Sequence, residues 1–284
     1  MSALSALRPV ARYIRASRMV AICVLFLLLV ALVALAGPLL SPNDYISTDF
    51  DNRFGAPTMR GMQFFGTDEF GRDLFSRTLL GIQVTLFVAV IASIVSLGIG
   101  VIYGATAGFI GGKVDAVMMR AVDALYALPF VFLVILLMVA FERNFLLIFV
   151  AIGAINWLDM ARIVRGQTIS LKHREFVDAA RLTGVSTPGI IWRHITPNLF
   201  GVVVVYMTLT IPQAILVESF LSFLGLGVQE PQTSLGALVN SGITHMGRAP
   251  WLLIIPASVL AFILFCFNFL GDGLRDVVDP KNKT

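Results

Sequence analysis

Six apolar runs divide the chain, near residues 20–41, 83–108, 116–140, 145–163, 199–224 and 251–271. An α-helix needs roughly 20 such residues to cross about 30 Å of hydrocarbon. The pattern therefore predicts an all-α, polytopic membrane protein with six transmembrane helices. Two polar stretches, 41–82 and 162–197, are too long to be simple turns. A third, 225–250, is rich in Gly, Gln and Ser and is expected to form surface loops and short helices. The expected segmentation is a tail over 1–19, a first span over 20–41, an outer segment over 42–82, a core over 83–273 and a tail over 274–284.

Composition agrees with a bilayer: 57% hydrophobic and 13% charged residues, with a mean hydropathy of +0.87. A soluble domain is nearer about 45–50% apolar and about 25% charged. The net charge of +4 would admit nucleic-acid binding until the basic residues are placed. Fifteen of the 21 Lys and Arg fall on the side shared by the termini and six on the other, so both termini are expected in the cytoplasm. Topology thus accounts for the charge without nucleic acid. Arg8, Arg12, Arg15 and Arg18 precede the first run as in a secretory signal, but the run is about twice as long as a signal core and shows no small-residue cleavage site. A retained anchor is expected. Cys23 and Cys266 both lie in apolar runs and read as small hydrophobes rather than a disulfide.

Gly98, Gly100, Gly104 and Gly108 recur at helical spacing and predict a close helix–helix approach. Pro129, Pro212 and Pro256 fall inside runs, where they can bend a span. In the inner polar stretch, REFVDAARLT (174–183) places Phe176, Ala179, Ala180 and Thr183 on one helical face, with Arg174, Asp178 and Arg181 opposite. Gly184 follows as a left-handed cap, and Thr187-Pro188 reads as the N-cap and first residue of a second helix. A helix this short is marginal alone, so its stripe needs a cover. The stripe has too little apolar area for a lipid anchor, which favours a partner's groove.

Asp178, Ala179, Ala180, Gly184 and Pro197 resemble the EAA loop of importer-type ABC permeases, with Asp178 where that family carries Glu and Thr196 where it carries Leu. The resemblance makes Glu175, Asp178, Ala179, Ala180, Gly184 and Pro197 candidate contacts with a cytoplasmic ATPase. No G-x-x-x-x-G-K-[ST] segment is present, so ATP and its Mg are expected on partner subunits and no cofactor on this chain. GTDEFGRDLFSR (66–77), GGKVDAVMMR (111–120), WLDMARIVRGQTISLKHREF (157–176), ESFLSFLGLGVQEP (218–231) and FCFNFLGDGLRDVVDP (265–280) are similar to the C-type subunit of dipeptide and oligopeptide permeases, nearest the oligopeptide branch.

The resemblance implies a type I ABC importer permease fold in a bacterial inner membrane. It also implies a homologous second permease, two ATPase subunits and a periplasmic binding protein that delivers peptide, with the path between the permeases and lipid around them. It implies no catalysis by this chain. Dipeptides, antimicrobial peptides and nickel are alternative cargoes of relatives with the same motifs.

On residues alone, Asp68, Glu69, Arg72, Asp73 and Arg77 read as local pairs on the outer surface, worth about 0–1 kcal/mol each if exposed. Asp68, Arg72 and Asp73 are also candidate contacts with the binding protein. Asp123, Asp159 and Asp272 lie toward cytoplasmic span ends and are assigned to snorkelling or capping, whereas Glu218, with Ser222 and Pro212, is a candidate gate or path residue. His173, His194 and His245 lack metal-pair spacing, and no metal site is expected. The absence of G-x-S-x-G and H-E-x-x-H disfavours an intramembrane hydrolase. An ion-coupled secondary transporter, which commonly carries an inverted repeat, is the other class; no such repeat is evident.

Overall fold

A computed structural model describes residues 17–41, 43–59, 62–141 and 145–278, all of whose regular structure is helical. Ten helices follow in order: α1 (Arg18–Leu40), α2 (Leu74–Ile110), α3 (Gly112–Tyr126), α4 (Phe130–Phe141), α5 (Phe145–Lys172), α6 (Glu175–Leu182), α7 (Thr187–Ile190), α8 (Thr196–Phe223), α9 (Leu235–His245) and α10 (Trp251–Val278). A π-helical turn, Ile191–Ile195, joins α7 to α8. Among the described residues, four helical stretches are long and apolar enough to cross a bilayer: Arg18–Gly37, Leu74–Ile110, Thr187–Phe223 and Trp251–Arg275.

The apolar run 116–140 is not one helix. The Leu128 position, just before Pro129, disfavours helical backbone, and the chain closes α3 with the Ala127 amide on the Asp123 carbonyl and restarts at Phe130. Two helices of 15 and 12 residues replace the predicted single span. Pro212 and Pro256, by contrast, sit inside continuous helices. The π turn has a local cause. Pro197 lacks an amide proton for the Arg193 carbonyl, and the Thr196 amide reaches back five residues to Ile191 instead.

The chain forms two compact units. Among the described residues, one comprises 91–141 and 145–211 with 271–278. In it α2 and α5 approach closely along three of the four predicted glycines: a Cβ at Gly100, Gly104 or Gly108 would lie 2.6, 2.3 or 2.7 Å from Met160 Cβ, Ala161 O or Arg165 O. Gly98 meets nothing and takes no part in the seam. Beside the seam, Val101, Ala105, Phe109, Met160 and Val164 form a core with Val177, Ala180, Ile190, Ile191 and Ile195.

The other unit comprises the described residues of 17–90 with 212–270. Its α1 and α10 meet through Phe26 and Phe262, 6.0 Å between ring centroids, and both cysteines are free and buried. The 225–250 stretch holds α9, whose Leu235, Gly236, Leu238 and Gly242 are buried. A short helix is what was expected there, and its buried face ties it into the unit. Leu238 packs with Leu74, Ala249 and Leu252.

Candidate functional site

Three groups of side chains stand out, and the first is the knob around α6. Arg174 is its extended N-cap, Glu175 and Asp178 lie in the first turn and Arg181 in the last. That order of charge suits the helix dipole. At the C-terminus the Val185 amide donates to the Ala180 carbonyl at 3.1 Å and the Gly184 amide to Arg181 at 3.0 Å. These are the paired bonds of a Schellman cap, and Gly184 supplies the left-handed residue it requires, at φ +78°. Ser186, one residue before the predicted Thr187, is the N-cap of α7.

The inward face of α6 differs from the predicted stripe. Val177 and Ala180 are buried, whereas Phe176, Ala179 and Thr183 are exposed. Leu182, at 90% exposure, joins the outward row. Ala180 is therefore a packing residue rather than a surface contact. Glu175 and Asp178 flank the outward row, and Arg181 lies over the Phe109 ring at 5.5 Å. Pro197 is exposed at the first turn of α8.

The second group overturns the expectation of exposed outer pairs. Asp68, Arg72, Asp73 and Arg77 are each less than a tenth exposed. Gly66 and Gly71, at φ +82° and +75°, turn the chain tightly enough for Thr67 and Asp73 to bridge. Asp68 Oδ1 accepts the Phe70 and Arg72 amides, both at 2.9 Å, and its Oδ2 accepts Arg72 Nε at 2.7 Å. Arg77 Nε stands 3.5 Å from the same oxygen. Asp73 accepts the Ser76 amide at 2.8 Å and so caps α2.

Both guanidiniums also grip Glu230, Arg72 Nη1 at 2.5 Å and Arg77 Nη2 at 2.9 Å. The candidate receptor contacts Asp68, Arg72 and Asp73 are thus interior supports, and the group that reaches solvent is Glu230, 59% exposed. Partial burial alone would raise the Glu230 carboxyl, but the hydrogen bonds from Arg72 and Arg77 outweigh it and hold it below its ordinary value. A carboxyl depressed in the folded state stabilises above its unfolded value and loses that contribution as pH falls through the lower one. Amide protection in residues 224–234, taken relative to the intrinsic exchange rate at each pH, is therefore expected to stay constant from pH 7 to about 5 and to fall only below about pH 4.3, the ordinary Glu value. Glu230→Gln should remove the acid step; an unchanged step in that variant counts against the clamp.

The third group surrounds Glu218, which is fully buried together with Ser222 and Pro212. None of the three lines an open path here, contrary to the gate assignment. Burying a carboxylate demands partners, and Glu218 Oε1 accepts Ser222 Oγ at 2.7 Å, with Ser234 Oγ 3.4 Å from Ser222 Oγ. Ser234 in turn caps α9 through the Ala237 amide at 3.1 Å, and Thr85 Oγ1 accepts the Leu235 amide at 3.0 Å. The cluster fastens α9 to α2 and α8.

Asp123 and Asp159 also depart from simple snorkelling. Arg162 donates to Asp123 at 2.8 Å and lies over the Tyr126 ring at 4.5 Å, and the Tyr126 hydroxyl reaches Asp159 at 3.2 Å. Nearer the chain turn at Gly111, Arg165 holds Asp115 by two bonds of 2.5 and 2.6 Å. No cluster of three or more metal-ligating side chains occurs among the described residues.

Residues 98–284 match the family described as binding-protein-dependent transport system inner membrane components. The chain belongs to that family. Residues 5–57 match the N-terminal transmembrane domain of oligopeptide transport permease C. The chain is 51% identical over 272 residues to the oligopeptide transport system permease protein OppC of Haemophilus influenzae, covering 96% of this chain and 87% of the relative. It is 53% identical over 257 residues to OppC of Escherichia coli K12, covering 90% and 85%. With the dipeptide transport system permease protein DppC of Bacillus subtilis it shares 45% over 259 residues, covering 90% and 80%. For an inner membrane component of such a transport system, the apolar helices are the working body. Glu230, Val177 and Ser234 were not singled out from sequence; Glu230 stands near the end of the ESFLSFLGLGVQEP motif, the one signal that could have found it.

Proposed function

We propose that this chain is the transmembrane permease subunit of an ATP-driven, binding-protein-dependent peptide importer, with oligopeptides, for which the Haemophilus and Escherichia relatives are named, as the cargo. It forms half of the path with a homologous permease, crosses the membrane six times with both termini in the cytoplasm, and performs no hydrolysis itself. The observation that carries this reading is the uncovered face of α6. The row Phe176, Ala179 and Leu182, flanked by Glu175 and Asp178, is exposed among the described residues, Leu182 at 90% and Phe176 at 37%. An apolar row with acidic flanks suits a groove with basic edges on a cytoplasmic ATPase.

The inward residues Val177 and Ala180 share one core with α2, α5 and the start of α8. Movement of α6 with its ATPase is thereby passed to those helices together, since packed cores shift as units rather than deform. On the outer side, Glu230 and its neighbours offer the surface to the binding protein, and Asp68, Arg72 and Asp73 fix the shape of that surface.

Cysteine placed at Ala179 is expected to cross-link to the ATPase with a yield that changes on nucleotide binding; a nucleotide-independent yield counts against coupling through α6. Gly184→Glu forces a side chain into left-handed backbone at a cost of about 1–2 kcal/mol. It is expected to cut uptake about tenfold while the chain still inserts, whereas Gly184→Asn, which tolerates that backbone, retains most activity. Normal uptake in Gly184→Glu overturns the assignment. Uptake that survives loss of ATP hydrolysis but collapses with the ion gradient points instead to a secondary transporter.

A further inference from the structure

Leu125, Tyr126, Leu128, Leu133, Ile155, Leu158 and Asp159 line an open cavity of about 230 Å³. It opens where α3 breaks before Pro129, so the break that splits the predicted third span also creates the space. The lining is apolar except for the Tyr126 hydroxyl and the Asp159 carboxylate. Asp159 is exposed, and among the described residues its carboxylate is bonded by the Tyr126 hydroxyl alone, shared between its two oxygens at 3.2 and 3.4 Å. Both oxygens keep lone pairs free for a stronger donor.

Charge around the cavity does not balance. Arg162 is committed to Asp123 by its 2.8 Å bond and to the Tyr126 face at 4.5 Å. Two carboxylates and one guanidinium leave one negative charge, at Asp159. Asp159 lies six residues, or about 9 Å, along α5 from the Arg165–Asp115 pair, toward the apolar part of the helix. At that depth a carboxylate does not face lipid tails; it faces water or another protein.

We propose that this cavity binds the amino-terminal residue of a translocating peptide, with Asp159 accepting its α-ammonium group and the leucines and Ile155 covering its side chain. This rests on the peptide-importer reading above. The volume suits a single residue, being below the roughly 300–1,000 Å³ that a whole small ligand occupies. The break before Pro129 leaves the cavity beside a segment that α3 does not continue through, so helix repacking during the transport cycle opens or closes it. Asp159 is a specificity residue: it favours cargo with a free amino terminus.

The test uses the assembled transporter in proteoliposomes, with its binding protein and ATP, and one peptide in two forms, free and N-acetylated. Wild type is expected to prefer the free form. Asp159→Asn should lower uptake of the free peptide about tenfold, the scale of one charge-assisted hydrogen bond, and leave the acetylated peptide unchanged. Asp159→Glu should restore the preference. An unchanged ratio in Asp159→Asn overturns the site, and so does an equal loss for both peptides, which marks Asp159 as a contact with the second permease. If wild type takes up neither form, the importer reading itself fails.

Discussion

Asp68→Ala is expected to cost about 3–5 kcal/mol, because it removes the buried anion between two buried guanidiniums. Asp68 is 4% exposed, Arg72 7% and Arg77 4%, so water cannot substitute for the missing charge. Glu230 remains as a partner for both arginines, but it is largely in solvent and sits at the other end of their guanidiniums. The same change also strips two amide acceptors from the 66–77 turn. Asp68→Asn, which keeps an oxygen for those amides, should fall between wild type and alanine. The matched control is Asp178→Ala. Its pair with Arg181, at 3.3 Å and with both side chains exposed, is worth about 0–1 kcal/mol. Heat tolerance of the purified protein in detergent, with amide exchange over 66–77 and 224–234, reads the difference. Equal behaviour of Asp68→Ala and Asp178→Ala would show that the network contributes no more than a surface pair.

That contrast also marks where the sequence is legible. Six apolar runs anticipate the helical class, and the order of cap residues around 174–188 locates α6 and its glycine cap to within a residue. Local chemistry governs both. The burial of Arg72 and Arg77 could not be read locally, because their partner Glu230 stands 158 positions from Arg72 and 153 from Arg77. Burial turned what looked like a solvated charge cluster into an interior support.

The face of α6 was misread for a related reason. In an eight-residue helix containing two adjacent alanines, one residue decides the direction of the apolar stripe. Val177, not Phe176, found the core of α2, α5 and the π turn. Turning α6 by about one residue leaves Phe176 and Leu182 outward, which is the arrangement a docking helix needs. Glu218 is the converse case. A carboxylate at the outer end of a span suggested a path, but the fold buries it beside the N-terminus of α9, with Ser222 donating to one of its oxygens.

Gly104→Leu against Gly98→Leu is the comparison with the clearest opposition of effects. Both replacements relieve the helix-propensity penalty of glycine, a gain of about 0.5–1 kcal/mol. At Gly98 a Cβ meets nothing within 4 Å, so that gain should stand and the variant should match or exceed wild type in stability. At Gly104 the Cβ would fall 2.3 Å from the Ala161 carbonyl oxygen and 2.9 Å from Val164 Cβ. A backbone carbonyl cannot rotate aside as a side chain can, so α2 and α5 must separate along the seam. Overpacking of this kind typically costs about 1–3 kcal/mol and exceeds the propensity gain. The separation also loosens the core that holds Val177 and Ala180, so ATP-driven uptake should fall further than the amount of inserted protein. A Gly104→Leu protein that retains wild-type heat tolerance and uptake would mean that α2 and α5 do not meet at this seam.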